Sequence, residues 1–121
     1  MSDIYKVLTE EEWQEANSSG EIITSLDEKD GFIHFSSSKQ LALTLNLYFK
    51  DYKKVILLQI DKQSIKNNLV FEKPNSGERT GTFPHLYGKL AIEDVTNIWY
   101  LDRHAFELPK EVLVESERYF L

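Results

Sequence analysis

The sequence predicts an α+β fold that is formed by a single domain over residues 1–121. Short runs rich in β-branched and aromatic residues alternate with segments that begin with helix-capping residues. The length of 121 residues is that of one compact domain. The shares of hydrophobic residues (41%) and charged residues (28%) are those of globular proteins, which excludes wholesale disorder.

The first two elements are a strand and a short helix. Residues Ile4–Leu8 are rich in β-branched and aromatic side chains, which favours a strand. Thr9 and Glu12 have the spacing of a capping box, in which each side chain accepts a hydrogen bond from the other residue's amide. The pattern predicts a helix through Trp13 that is broken at Asn17–Gly20.

A strand at Phe32–Ser36 and a second helix follow. The strand comes directly after the turn signal Asp30-Gly31. Ser37 and Gln40 form a second capping box, so a helix is expected beyond them. Its spacing places four residues on one side: Leu41, Thr44, Leu45 and Tyr48.

The second half of the chain contains three further strands and a last helix. The nearly continuous apolar run Val55–Ile60 predicts a central strand, and the other two are Leu69–Glu72 and Val95–Leu101. Pro109 favours the start of a C-terminal helix, because its fixed φ suits the first helical position. The polar, glycine-containing stretch Lys73–Thr82 is predicted to be a mobile loop.

Composition excludes several classes of function. Asp and Glu number 20 against 14 Lys and Arg, a formal charge of -6, which argues against general nucleic-acid binding. The absence of cysteine removes disulfides, thiolate metal sites and cysteine nucleophiles. No apolar run is long enough to cross a membrane and no signal peptide is recognisable, so a cytoplasmic protein is expected. The histidine spacings match no zinc motif, and no metal site is predicted.

The first segment that could carry chemistry surrounds His34. In a strand, Phe32, His34 and Ser36 share one face, and the strand leads into a helix start whose amides can bind an anion. Ser36 and Ser38 are therefore candidate ligand-binding residues at a phosphate seat. The alternative is that the serines cap the helix and His34 forms hydrogen bonds inside the core.

The second such segment is Phe83-Pro84-His85-Leu86-Tyr87-Gly88. If it is extended, Phe83, His85 and Tyr87 face the same way and can stack on a flat heterocycle. Pro84 lacks the amide donor that a central strand needs, which predicts an edge strand or an ordered loop. The alternative is an aromatic part of the core, with the Tyr87 hydroxyl satisfied by the backbone.

Three charged segments have simpler interpretations. Arg79 could hold a phosphate with its planar guanidinium, although such a residue is often only a solvated loop residue. The acidic runs Glu10–Glu12 and Asp27–Asp30 are interpreted as solvated charges at the surface and at helix starts.

The two histidine motifs and their surroundings resemble the DUF952 family of bacterial proteins of unknown function. The resemblance covers about residues 4–101 and rests on Gly31-Phe32-Ile33-His34-Phe35-Ser36 and on Phe83–Gly88. Further matching positions are Ile4–Val7, Trp13, Ser25–Asp27, Gln40, Thr44, Tyr48-Phe49, Ile60-Asp61 and Glu72.

This resemblance implies an ADP-ribosyltransferase-like split β-sheet with flanking helices. His34 matches by position a residue that binds the ribose of NAD, and Tyr48 or Tyr87 would stack on the nicotinamide. Glu72 matches a family position but precedes the second motif, so no catalytic glutamate is assigned.

Two functional hypotheses follow. In the first, the protein has a cleft for NAD or a related phosphorylated nucleotide, which it binds or from which it transfers a group, and His34 and His85 are the catalytic residues. In the second, the protein is a non-enzymatic interaction or regulatory module in which both histidines are structural.

Overall fold

The computed structural model describes residues 3–74, 81–102, 109–112 and 114. Seven strands and three helices have defined bounds in this part of the chain. In chain order they are β1 (Ile4–Thr9), α1 (Glu10–Ser19), α2 (Ser25–Asp30), β2 (Ile33–His34), β3 (Ser36–Ser37), α3 (Leu41–Phe49), β4 (Lys54–Ile60), β5 (Leu69–Glu72), β6 (Phe83–Leu86) and β7 (Val95–Asp102).

Four antiparallel strands form the larger sheet in the order β3-β1-β4-β7. Both faces of this sheet are covered. One face packs Ile4, Leu8 and the alternate side chains of β4 against α1, and the other packs Tyr5 and Val7 against α3. Burial on both faces explains why residues 55–60 are almost continuously apolar, as the sequence predicted for a central strand.

The remaining three strands form a second antiparallel sheet in the order β2-β6-β5. The predicted strand Phe32–Ser36 is divided between the two sheets. Its first part, β2, pairs with β6, while its continuation β3 pairs with β1. The chain changes sheet at Phe35, whose ring is buried in the core between α1 and both sheets.

The prediction that Pro84 keeps its strand out of the middle of a sheet was wrong. β6 lies between β2 and β5, and Pro84 is opposite Phe71 of β5. On its other side the Pro84 carbonyl accepts a hydrogen bond from the Phe35 amide at 3.1 Å. That side is where β2 has ended, so the missing proline donor interrupts no continuous ladder.

The helix starts follow local sequence more closely than the helix ends do. The capping box of Thr9 and Glu12 is present, but α1 continues through 17–19 and ends only at Gly20, which has a φ of +84°. The short helix α2 was not predicted. It starts with a capping box between Thr24 and Asp27, and it ends at Gly31.

Other expectations fall partly on the rest of the chain. Residues 110–112 and 114 are helical, in agreement with a helix start at Pro109. Most of the predicted loop Lys73–Thr82 lies outside the described residues. Among the helices of the described part, none has the length and apolar character needed to span a bilayer.

Candidate functional site

A cavity of about 500 Å³ opens where the two sheets and α3 meet. Its walls combine aromatic rings with a smaller number of charged groups and hydroxyls. The lining residues are Tyr5, Lys6, Val7, Thr9, Glu12, Thr24, Leu26, Asp27, Asp30, Phe32, His34, Phe35, Ser36, Thr44, Tyr48, Phe49, Tyr52, Pro74, Phe83 and His85. A volume of this size is within the range of small-molecule sites.

The carboxylate of Asp27 lines this cavity and is only 1% exposed. Its Oδ1 accepts hydrogen bonds from the His34 amide at 3.0 Å and from Lys6 Nζ at 3.0 Å, and it lies 2.7 Å from His34 Nδ1. Its Oδ2 accepts from the Thr24 amide at 3.0 Å and lies 2.9 Å from Lys6 Nζ. One buried side chain therefore joins β1, the start of α2 and β2.

The partners of Asp27 control its ionisation. Burial by itself would raise the pKa of Asp27. The hydrogen bond to His34, the charge and hydrogen bond of Lys6 and the Thr24 amide outweigh burial and hold that pKa well below its usual range. Burial lowers the pKa of Lys6, and the Asp27 carboxylate opposes this change. The solvated-surface interpretation of Asp27 was therefore wrong, because both oxygens are used inside the protein.

His34 lies between two carboxylates. Its Nδ1 faces Asp27, and its Nε2 is 2.8 Å from Oδ2 of Asp30, the last residue of α2. The His34 side chain is 26% exposed and that of Asp30 is 22% exposed, so this second contact is at the edge of the cavity. Asp30 was also interpreted as a solvated charge, and the structure instead shows it bound to His34.

His85 stands directly opposite His34 in the pairing of β2 with β6. The two ring centroids are 5.6 Å apart, and the Phe32 ring stacks on His85 at 4.1 Å and lies 4.6 Å from His34. The motifs that were separated by about fifty positions in the sequence thus meet side by side at one wall of the cavity.

Glu72 on β5 contacts His85 and Tyr87. Its Oε1 accepts a hydrogen bond from the Tyr87 hydroxyl at 2.5 Å and lies 2.8 Å from His85 Nδ1. These two hydrogen bonds lower the pKa of Glu72, and the Glu72 carboxylate raises the pKa of Tyr87. The alternative in which the Tyr87 hydroxyl is satisfied by the backbone was wrong, since a side chain accepts its hydrogen bond.

The serine segment differs from a simple anion seat. Ser36 Oγ is 2.8 Å from Thr44 Oγ1 on α3, and both residues line the cavity. Ser38 is buried at 3% exposure and does not line it. The Ser37 amide donates to Gln40 Oε1 at 2.9 Å, so a side chain already occupies that donor at the helix start.

The candidate residues thus fall into three groups. The structure brings His34, Ser36, Tyr48, Phe83 and His85 to the cavity wall. Ser38, Glu72 and Tyr87 lie beside it without lining it, and Arg79 is outside the described residues. Within the described ranges, no group of three or more histidine or acidic side chains is arranged to hold a metal ion.

Lys6 and Asp27 were not predicted as site residues from the sequence. The spacing of Thr24 and Asp27 was a usable signal, because a Thr followed three residues later by a carboxylate marks a helix start. Lys6 interrupts an apolar strand whose neighbours are all buried, and a lysine at such a position needs a buried partner.

Comparison with known proteins establishes the family. A model of the family described as "Protein of unknown function (DUF952)" matches residues 7–98, and the chain belongs to this family. The crystal structure of protein CC0527 from Caulobacter crescentus is similar, with 30% sequence identity, a TM-score of 0.78 and coverage of 95% of this chain and 99% of that chain. The solution NMR structure of CC0527 has 33% identity, a TM-score of 0.72 and coverage of 84% and 86%. The search of curated proteins found no match.

Proposed function

We propose that this protein binds an NAD-like nucleotide in the cavity, with the nicotinamide and its ribose next to His34 and His85, in a fold of the ADP-ribosyltransferase type. The observation that carries the proposal is the pairing of the two histidines across β2 and β6, with Phe32 stacked beside them. Two histidine–aromatic motifs from distant parts of the chain meet at one cavity, and the two sheets that form its walls agree with a split-sheet fold.

The chemistry of the walls supports a flat ring with a positive charge. Seven of the twenty lining residues are Phe or Tyr, and the faces of such rings attract cations such as the oxidised pyridinium ring. Three carboxylates, of Glu12, Asp27 and Asp30, line the cavity beside one ammonium, that of Lys6. Lys6 is bound to Asp27, so the electrostatics among the described lining residues favour the nicotinamide end over the phosphates.

The phosphates would then lie toward Pro74, which lines the cavity and precedes Arg79 in the sequence by five positions. An arginine has the planar donor geometry that suits phosphate oxygens. In this placement Arg79 would bind the phosphates. Ser36 would lie in the part of the cavity that holds the nicotinamide and its ribose.

The reaction that suits such a complex is transfer of the ADP-ribose group. The bond between the nicotinamide nitrogen and the ribose C1′ breaks, and its electron pair leaves with nicotinamide. An acceptor then bonds to C1′ and loses its proton. His34 and His85 would hold the ribose in place, and the carboxylates near them would stabilise the positive charge that develops on the sugar.

Thermal and chemical denaturation with NAD⁺, ADP-ribose and nicotinamide mononucleotide tests the proposal. A ligand present at 100 times its Kd stabilises the fold by about 2.7 kcal/mol. We expect NAD⁺ to stabilise the parent protein, His34→Gln to reduce this effect and the matched control His104→Gln to keep it. His104 belongs to neither motif. No stabilisation by any of the three nucleotides at millimolar concentration would refute the proposal.

Two observations favour the non-enzymatic alternative. His85 is only 3% exposed, and both ring nitrogens of His34 are already in contact with carboxylates. If the histidines serve only structure, a double variant His34→Ala/His85→Ala will unfold. A double variant that stays folded, as measured by circular dichroism, would rule out this alternative.

A further inference from the structure

The two carboxylates that contact His34 come from one short helix. Asp27 and Asp30 are three positions apart on α2, so both project from the same side of that helix. Asp27 lies at Nδ1, is fully buried and is fixed by its capping box with Thr24. Asp30 lies at Nε2 and is partly exposed at the cavity.

The hydrogen positions follow from the acceptors around the ring. Both Asp27 oxygens accept hydrogen bonds, from the Thr24 and His34 amides and from Lys6 Nζ, which is the pattern of an ionised carboxylate. His34 Nδ1 at 2.7 Å from Asp27 Oδ1 must therefore carry a hydrogen. The contact of Nε2 with Asp30 at 2.8 Å also needs one hydrogen, on either the nitrogen or the carboxyl.

We propose that Asp27 is the positioning residue of His34. The Asp27 carboxylate accepts the hydrogen bond of the Nδ1 hydrogen, so that Nε2 is the nitrogen presented to the cavity. There Nε2 shares one exchangeable proton with Asp30. The proposal rests on the proposed function for the identity of the ligand. In the absence of ligand, Asp30 is the hydrogen-bond partner of His34 Nε2. When the ligand binds, one of its hydrogen-bond acceptors replaces Asp30 and accepts the hydrogen bond from Nε2.

The remaining charged neighbours are compatible with this arrangement. Lys6 Nζ donates to the His34 carbonyl at 2.9 Å and is paired with Asp27, so its charge is directed to the buried side of the histidine. The ring of His85 meets that of His34 edge-on, and its Nδ1 is bound to Glu72. Asp30 is therefore the group in contact with His34 Nε2 among the described residues.

Nitrogen NMR of ¹⁵N-histidine-labelled, ligand-free protein at pH 7 tests this inference, with the His34 signals assigned by their loss in His34→Gln. We expect a protonated Nδ1 in the parent. In Asp27→Asn we expect Nδ1 to move toward the unprotonated range, because an amide can donate to it. In Asp30→Asn we expect Nδ1 to stay protonated while the Nε2 signal changes. Asp51→Asn, at an exposed position, is the matched control and should change neither signal.

An unprotonated Nδ1 in the parent would overturn the inference, and so would an Nδ1 signal that is unchanged in folded Asp27→Asn. If Asp27→Asn does not fold, Asp30→Asn decides, because a loss of Nδ1 protonation there would contradict the role of Asp27. The measurement needs no nucleotide. A failure to bind NAD⁺ would therefore refute the proposed function and leave this result standing.

Discussion

Replacing Lys6 with methionine should strongly destabilise the protein. Lys6 Nζ contacts both Asp27 oxygens at 3.0 and 2.9 Å and the His34 carbonyl at 2.9 Å, and the Lys6–Asp27 pair is shielded from water. Removal of one partner from a buried ion pair costs about 3–5 kcal/mol, because the other charge remains buried. Three donors to Asp27 remain, from Thr24 and His34, so we expect a loss of about 3 kcal/mol.

Urea denaturation followed by circular dichroism measures this loss as a change in the free energy of unfolding. Lys54→Met is the matched control, because Lys54 is exposed at the start of β4, and its effect should stay within about 0.5 kcal/mol. The double variant Lys6→Met/Asp27→Asn should cost less than the sum of its single variants, by roughly 1–3 kcal/mol. If Lys6→Met costs no more than Lys54→Met, the ion pair does not stabilise the fold and the argument fails.

Three further predictions concern the site and its supports. The pKa of Asp27 is lowered in the folded protein. The ionised Asp27 carboxylate therefore stabilises the fold fully above its unfolded pKa of about 4, and this stabilisation is lost as the pH falls below that value. Between about pH 6 and 3, the urea midpoint of Asp27→Asn should fall less steeply than that of the parent protein. Glu72→Gln should lower the pKa of Tyr87 toward its ordinary value of 10.0, which ultraviolet titration of the phenolate measures against Tyr87→Phe. Gly31→Ala should cost roughly 1–2 kcal/mol in urea denaturation, because Gly31 has a φ of +83°.

Each of these has a result that contradicts it. Parallel pH profiles of the parent and Asp27→Asn would show that the Asp27 carboxylate does not contribute to acid sensitivity. An unchanged phenolate titration in Glu72→Gln would show that the hydrogen bond from Tyr87 to Glu72 does not raise the pKa of Tyr87. A Gly31→Ala variant as stable as the parent would mean that the end of α2 tolerates a side chain in the left-handed conformation.

Local elements were predictable because the interactions that define them are close in sequence. The capping box of Thr9 and Glu12 spans four residues. Strand alternation puts Ile33 and Phe35 on the face opposite His34, and the structure shows both of them buried in the core. The same alternation left His34 on the other face, where the structure has the two carboxylates. Side chains alternate between two faces in any extended segment, so this prediction did not depend on the fold.

The Lys6–Asp27 pair and the position of Pro84 depended on tertiary structure. Lys6 and Asp27 are 21 positions apart. The apolar strand around Lys6 indicates that it needs a buried partner, and the spacing of Thr24 and Asp27 marks a helix start, but neither signal identifies the partner. Nothing local indicates that β1 and the start of α2 meet. Likewise, the rule that excludes proline from a central strand holds only where both neighbours continue, and here β2 has ended at His34.

The order of strands in the larger sheet has a consequence for how the protein folds. Ile4 pairs with Ile60, and Lys54 pairs with Asp102, so each central pairing joins distant parts of the chain. Pairings between distant residues slow folding, because loop closure must precede the gain from pairing. At about 5–20 residues per second, a ribosome completes β4 roughly 3–10 s after it completes β1. The β1–β4 ladder, in which Lys6 pairs with Leu58, therefore forms only after β4 is made, and the apolar faces of β1 lack this partner strand until then.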